Sequence, residues 1–198
     1  MRRKKIARKT GDAPSPDGEK ELARQRAGLF RTGGLGIVVC VVALAAGYWG
    51  LPRFFEFPHD PLDRLMFWAR LQVFLLAWVA LGVGAVSRGR RQSAQDINGS
   101  AYGPPSSGLA IKVAFLQNTL EQAVLASGAY LALVTLLSGP ALSLLVAAAI
   151  LFCIGRVCFY LGYSGGAPGR GFGFVLTMLP TLLGYGLALV LIARQVVH

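Results

Sequence analysis

Two groups of residues have the types and spacing to hold a polar, anionic ligand inside an apolar chain. Arg156 is the first charge in a run that begins at Pro140; Tyr160 and Tyr163 follow it by four and seven residues, and Arg170 lies seven beyond Tyr163. Helical spacing puts Arg156, Tyr160 and Tyr163 on one face. A charge buried in a hydrophobic segment is costly, needs a partner and marks a working site. The glycines and proline of Ser164–Gly169 end that helix, and Arg170 opens the next apolar run. The second group lies in FLQNTLEQA, where Gln117, Asn118, Glu121 and Gln122 recur at spacings of three and four and form one polar stripe. A glutamate there is expected to face the bundle interior, because facing lipid would cost several kcal/mol. Arg156, at comparable depth on the next, antiparallel helix, is its natural partner. Two readings stay open: a structural Glu121–Arg156 pair with amides as interhelical glue, or a pocket in which these groups bind a ligand.

The elements that position these groups are membrane spans. The chain has 198 residues, 54% hydrophobic and 15% charged, with a mean hydropathy of +0.54. Such a composition excludes an ordinary soluble domain and indicates a polytopic membrane protein. The net charge of +11 is uneven: ten of the 20 Lys and Arg lie in the first 31 residues, against four of the nine Asp and Glu. Beside a span, such an arm holds the N-terminus in the cytoplasm and touches anionic lipid, so no nucleic-acid partner is expected. It is too long for the basic region of a signal peptide. Cys40, Cys153 and Cys158 all sit in apolar runs and read as small buried hydrophobes. With two histidines, one of them terminal, no metal site is expected.

Residues 1–32 are expected to be a largely disordered cytoplasmic arm, with a short amphipathic helix at Glu19–Phe30. Residues 33–50 supply an extra first span, and Leu51–Arg64 an interfacial loop with Phe54, Phe55 and Phe57. Leu65–Val86 is the second span and Ser87–Gly108 a polar loop. Leu109–Leu137, Pro140–Tyr163 and Gly171–Ala193 are the remaining three. The tight Ser138–Pro140 connection makes the third and fourth helices antiparallel neighbours. Small residues recur along the spans, as close packing requires. The basic arm and the basic start of the second loop, Arg88, Arg90 and Arg91, both belong in the cytoplasm by the positive-inside rule. Asn118, Glu121, Arg156, Tyr163 and Arg170 then all fall toward the cytoplasmic end of their helices.

Taken in order, Asn118-x-x-Glu121, then Arg156, Leu161-Gly162-Tyr163 and Arg170 at sevenfold spacing resemble the MAPEG family of membrane proteins of eicosanoid and glutathione metabolism. The resemblance runs from about Leu65 to Ala193. It implies an all-α fold, an integral membrane four-helix bundle over residues 65–195; the span at residues 33–50 adds one extra N-terminal transmembrane helix to the family's usual four. It also implies a homotrimer binding glutathione between subunits on the cytoplasmic side. Asn118, Glu121, Arg156 and Tyr163 would hold the glutathione as cosubstrate, and Arg170 would be catalytic, stabilising its thiolate. The apolar electrophile would arrive through membrane lipid. The expected activity is that of a glutathione transferase or peroxidase. The alternative is a non-catalytic lipid-binding or scaffold member of the same fold. Ala114, where catalytic members often carry arginine, and Phe159, where tyrosine is usual, favour the alternative; Arg170 and Tyr163 favour the enzyme.

The charge pattern predicts five spans, with the N-terminus in the cytoplasm and the C-terminus outside. Reporter fusions at Gln95 and at the C-terminus should therefore report opposite sides of the membrane. The same side for both would refute either the count or the orientation.

Overall fold

Apolar runs longer than a bilayer is thick must satisfy their backbone internally, and here they do so as helices. A computed structural model describes residues 16–197. They form five helices, α1 (Pro16–Gly50), α2 (Pro61–Arg91), α3 (Ser107–Leu136), α4 (Ser143–Leu161) and α5 (Gly166–Val197), with short 3₁₀ turns at Leu51–Arg53, Gly139–Leu142 and Gly162–Gly165. No strand occurs among the described residues. Four helical stretches are long and apolar enough to cross a membrane: Asp17–Arg53, Pro61–Arg91, Ser107–Leu136 and the 59 residues of Gly139–Val197. The last is a hairpin. It turns back at Gly166, whose φ of +68° is a conformation that suits glycine. On either side of the turn α4 and α5 approach so closely that a Cβ on Gly173 would collide with the backbone of Gly155 and Phe159.

Local chemistry sets the helix ends. Asp60 caps α2 by accepting from the Leu62 N–H at 2.9 Å, with Pro61 at the first helical position. Ser106 caps α3. On the side of the bundle away from the α4–α5 turn, Arg64 Nη1 donates to the Leu137 carbonyl at 2.7 Å. There the Gly139 N–H also donates to the Pro58 carbonyl at 2.9 Å. These bonds lock the α1–α2 and α3–α4 connections together. The core between α2, α3 and α4 is built from Leu71, Leu75, Tyr130, Leu133, Leu145 and Phe152 with intervening alanines. Polar side chains join helices as well: the Ser127 hydroxyl donates to Gln72 Oε1, and Trp68 Nε1 donates to the Ser127 carbonyl at 3.2 Å.

Helix α1 differs from the expected arm and span. The amphipathic helix expected at Glu19–Phe30 is not separate: residues 16–32, part of the arm expected to be largely disordered, continue into the span as one helix of 35 residues. At 1.5 Å per residue it is about 52 Å long, well beyond the hydrocarbon thickness. Residues 1–15 of the arm lie outside the described residues. Helix α1 runs parallel to α5 and meets it through small residues four apart. Gly28 lies on Pro168, Thr32 Oγ1 donates to the Pro168 carbonyl at 3.0 Å, Gly36 lies on Val175, and Cys40 is fully buried against the Val175 carbonyl. A one-sided apolar count does not reveal such a seam, because the small residues that make it are the least hydrophobic of the span.

The α2–α3 loop, the α4–α5 turn and the start of α1 share one side of the bundle. The loop is organised by Asp96, 4% exposed, which accepts from the Ser106 N–H at 2.8 Å and the Ser106 hydroxyl at 2.6 Å. These bonds, the hydroxyl's foremost, hold the Asp96 carboxyl below its usual pKa. A carboxyl held low in the folded state stabilises it above the ordinary carboxylate value. That contribution is lost as pH falls through the lowered value. Asp96→Asn should therefore raise amide hydrogen exchange across residues 92–106 at neutral pH. In the wild type the same increase, corrected for intrinsic rates, should appear only below about pH 4. Equal protection in wild type and variant at neutral pH would show that Asp96 does not order the loop.

Candidate functional site

The helix crossings bring three polar residues to one opening. A cavity of about 550 Å³ is lined by Asn118 and Ala114 of α3, Phe159 of α4, Tyr163 of the 3₁₀ turn, Arg170 and its neighbours on α5, and Leu29 and Gly33 of α1. Arg170 is the fifth residue of α5, and its guanidinium carbon lies 5.0 Å from the centre of the Tyr163 ring. Its N–H groups have no protein acceptor among the described residues, so they are free for an anion. Tyr163 is itself fixed edge-on to Phe159, with ring centres 5.7 Å apart. The remaining lining, which includes Ala167, Gly171, Phe174 and Val175, is apolar or small. The arrangement can bind a ligand with a charged end and an apolar body.

Arg156 does not line this cavity; it lies behind the wall. The side chain is fully buried, and Nη1 donates to Asn118 Oδ1 at 2.9 Å while Nη2 donates to Thr177 Oγ1 at 2.7 Å. Its guanidinium carbon sits 4.8 Å from the Phe159 ring centre and 5.5 Å from that of Phe152. Nε has no partner. The Glu121–Arg156 pair expected from sequence does not form within the chain. Glu121 is exposed on the outside of the bundle and accepts from Gln117 Nε2 at 3.1 Å. The reason lies in helical geometry: residues 118 and 121 are about 60° apart around the helix. Turning Asn118 to Arg156 thus carries Glu121 toward the outer face. The fourth member of the stripe, Gln122, is buried, with Nε2 3.5 Å from Met178 Sδ.

The two tyrosines also separate. Tyr163 stays with Arg170, whereas Tyr160 stacks edge-on against Phe115, with ring centres 5.1 Å apart. Tyr160 lines a different cavity with Arg88, Gln92 and Lys112. The sequence reading missed Thr177, Leu29 and Gly33. Thr177 had a signal, since it and Thr181 are hydroxyls four apart in an apolar run. Leu29 and Gly33 had none, because only the fold brings them near Arg170.

Removing either neutral partner of Arg156 strands part of a buried charge. Asn118→Leu and Thr177→Val should each destabilise the detergent-solubilised protein by about 1.5–3 kcal/mol, the worth of a hydrogen bond to a charged group. Thermal denaturation reads the loss, and wild-type midpoints for both variants would refute the assignment. Residues 65–190 match the model of the MAPEG family, whereas no curated protein and no solved structure matches the chain.

Proposed function

Because the chain belongs to the MAPEG family of membrane proteins, we propose that it is a glutathione-dependent transferase or peroxidase acting on apolar electrophiles in the bilayer. The observation that supports this most is the guanidinium of Arg170, which stacks on Tyr163, has no acceptor among the described residues and opens with Asn118 and Tyr163 onto one otherwise apolar cavity. Glutathione is the cosubstrate. Asn118 and Tyr163 hold it, and Arg156 acts through Asn118, whose amide it orients. Arg170, in the second turn of α5, faces the sulfur. Its charge and the positive end of the helix dipole both favour the anion, so they lower a thiol pKa that is ordinarily ~8.5 and raise the thiolate fraction at neutral pH. The thiolate then attacks the electrophilic carbon: the C–S bond forms and the leaving group departs with its electron pair.

Glu121 supports assembly. A carboxylate exposed on the outer face of an apolar span is costly against lipid. A second subunit seated on that face would cover Glu121 and Gln117. In the homotrimer we propose, Glu121 meets its glutathione-binding partners across the subunit boundary. The N-terminus and the cavity mouth lie on the cytoplasmic side, where the basic loops belong.

A second reading, a non-catalytic lipid-binding or scaffold member, is favoured by Ala114 and Phe159, which make the lining apolar. Arg170→Ala separates the two. In an enzyme, the wild type binds glutathione with an ultraviolet thiolate band and turns over a generic aryl halide. The variant should still assemble and bind glutathione, but band and turnover should fall by about 10²-fold or more. Tight glutathione binding by the wild type with neither band nor turnover would leave the scaffold reading standing.

A further inference from the structure

Helix α1 lies outside residues 65–190, the stretch that carries the family match, yet Leu29 and Gly33 stand in the lining with Asn118, Tyr163 and Arg170. We propose that α1 is a working wall of the site, and that its Leu29–Gly33 turn sets how large an apolar group can sit beside the anionic part held by Arg170. The proposal rests on the glutathione reading above and deepens it, by assigning to α1 the choice among electrophiles by size.

The wall is fixed to the turn that presents Arg170. Thr32 Oγ1 donates to the Pro168 carbonyl at 3.0 Å, two residues before Arg170. Gly28 leaves no room for a side chain, since a Cβ there would lie 2.9 Å from Pro168 Cγ. Leu29 covers Gly171, immediately after Arg170: a Cβ on Gly171 would come within 2.6 Å of Leu29 Cδ1. Helix α1 is therefore held against the start of α5 on both sides of Arg170, which fixes where Leu29 and Gly33 stand in the lining.

The glycines of α1 then divide by what lies in front of them. A Cβ on Gly36 would press on Val175 at 3.0 Å, so that glycine is a packing contact. A Cβ on Gly33 would meet only Val175 Cγ2 at 3.8 Å, ordinary contact distance. The space it would enter is the cavity. Gly34, one residue on, is exposed with nothing within 4 Å. Position 33 can thus be enlarged into the cavity without disturbing the seam, and position 34 is its outward-facing control. The chemistry agrees: Leu29, Ala114, Ala167, Phe174 and Val175 give no polar partner, so what they enclose is apolar.

The test uses the full chain in detergent, with glutathione and its S-methyl and S-hexyl derivatives as probes in calorimetry. Gly33→Phe should keep wild-type helicity and thermal midpoint and bind glutathione as the wild type does. It should lose about ten-fold or more in affinity for S-hexylglutathione, the range that a mismatched apolar pocket produces. Gly34→Phe should change neither. If Gly33→Phe binds all three ligands as the wild type does, or weakens all three equally, the wall does not select by size and the proposal falls.

A second arm does not depend on glutathione. Gly33→Cys, in a background carrying Cys153→Ala and Cys158→Ala, is labelled with an anionic sulfonatoethyl or a neutral methyl methanethiosulfonate. Adding Arg170→Ala should lower the anionic-to-neutral rate ratio by about three-fold or more, as loss of a nearby positive charge requires. If the wild type binds no glutathione but this ratio responds, the cosubstrate reading fails while the α1 wall stands for another anion. A ratio indifferent to Arg170 overturns the wall, whatever the ligand.

Discussion

A guanidinium with no solvent exposure and no carboxylate in reach among the described residues ties α3, α4 and α5 together. Arg156 meets Asn118, Thr177 and two aromatic faces, all of them neutral. Its charge is compensated by dipoles and ring quadrupoles, not by an ion pair. Such an arrangement tolerates little displacement, because Nη1 and Nη2 have one acceptor each at a fixed distance and Nε has none among the described residues. The positions of Asn118 and Phe159 at the cavity follow from it, since both residues touch Arg156 on one side and the opening on the other.

Second to this knot comes the closeness of α4 and α5. The Gly155–Gly173 contact lets the two backbones nearly touch, which brings Thr177 within reach of Arg156. At the end of the hairpin the turn at Gly166 delivers Arg170 back toward Tyr163. One charge is thereby buried to hold the helices, and the other lies on the Tyr163 ring beside the opening, with no acceptor among the described residues. The two arginines look alike in sequence and have opposite roles in the fold.

Much of this was legible in the sequence. Apolar run length gave all five helices, and the ordered residues from Asn118 to Arg170 gave the family, because both signals are local or depend on fixed spacing. Tyr163 and Arg170 were grouped correctly, since a seven-residue interval across one turn leaves them close. The Glu121–Arg156 pairing was not: choosing between residues 118 and 121 requires the rotation of α3 about its axis, which packing against α4 and α5 decides. Tyr160 and Tyr163 separated because α4 gives way to a tighter 3₁₀ turn at Gly162, changing the angular step. The contribution of α1 was invisible, because it depends on which helix the first span leans against.

That lean has a consequence for how the protein is made. Thr32 and Pro168 are 136 residues apart in sequence, and the α1–α5 seam consists of such contacts along its length. The first helix leaves the ribosome before the surface that receives it exists. It must reach the bilayer on its own hydrophobicity and wait beside α2 and α3 while the rest of the chain is synthesised. Gly36, Cys40 and Gly47 offer little adhesive surface to a wrong neighbour during that interval. Because α5 supplies half of it, the seam cannot close, and the cavity cannot acquire its α1 wall, before α5 has been made.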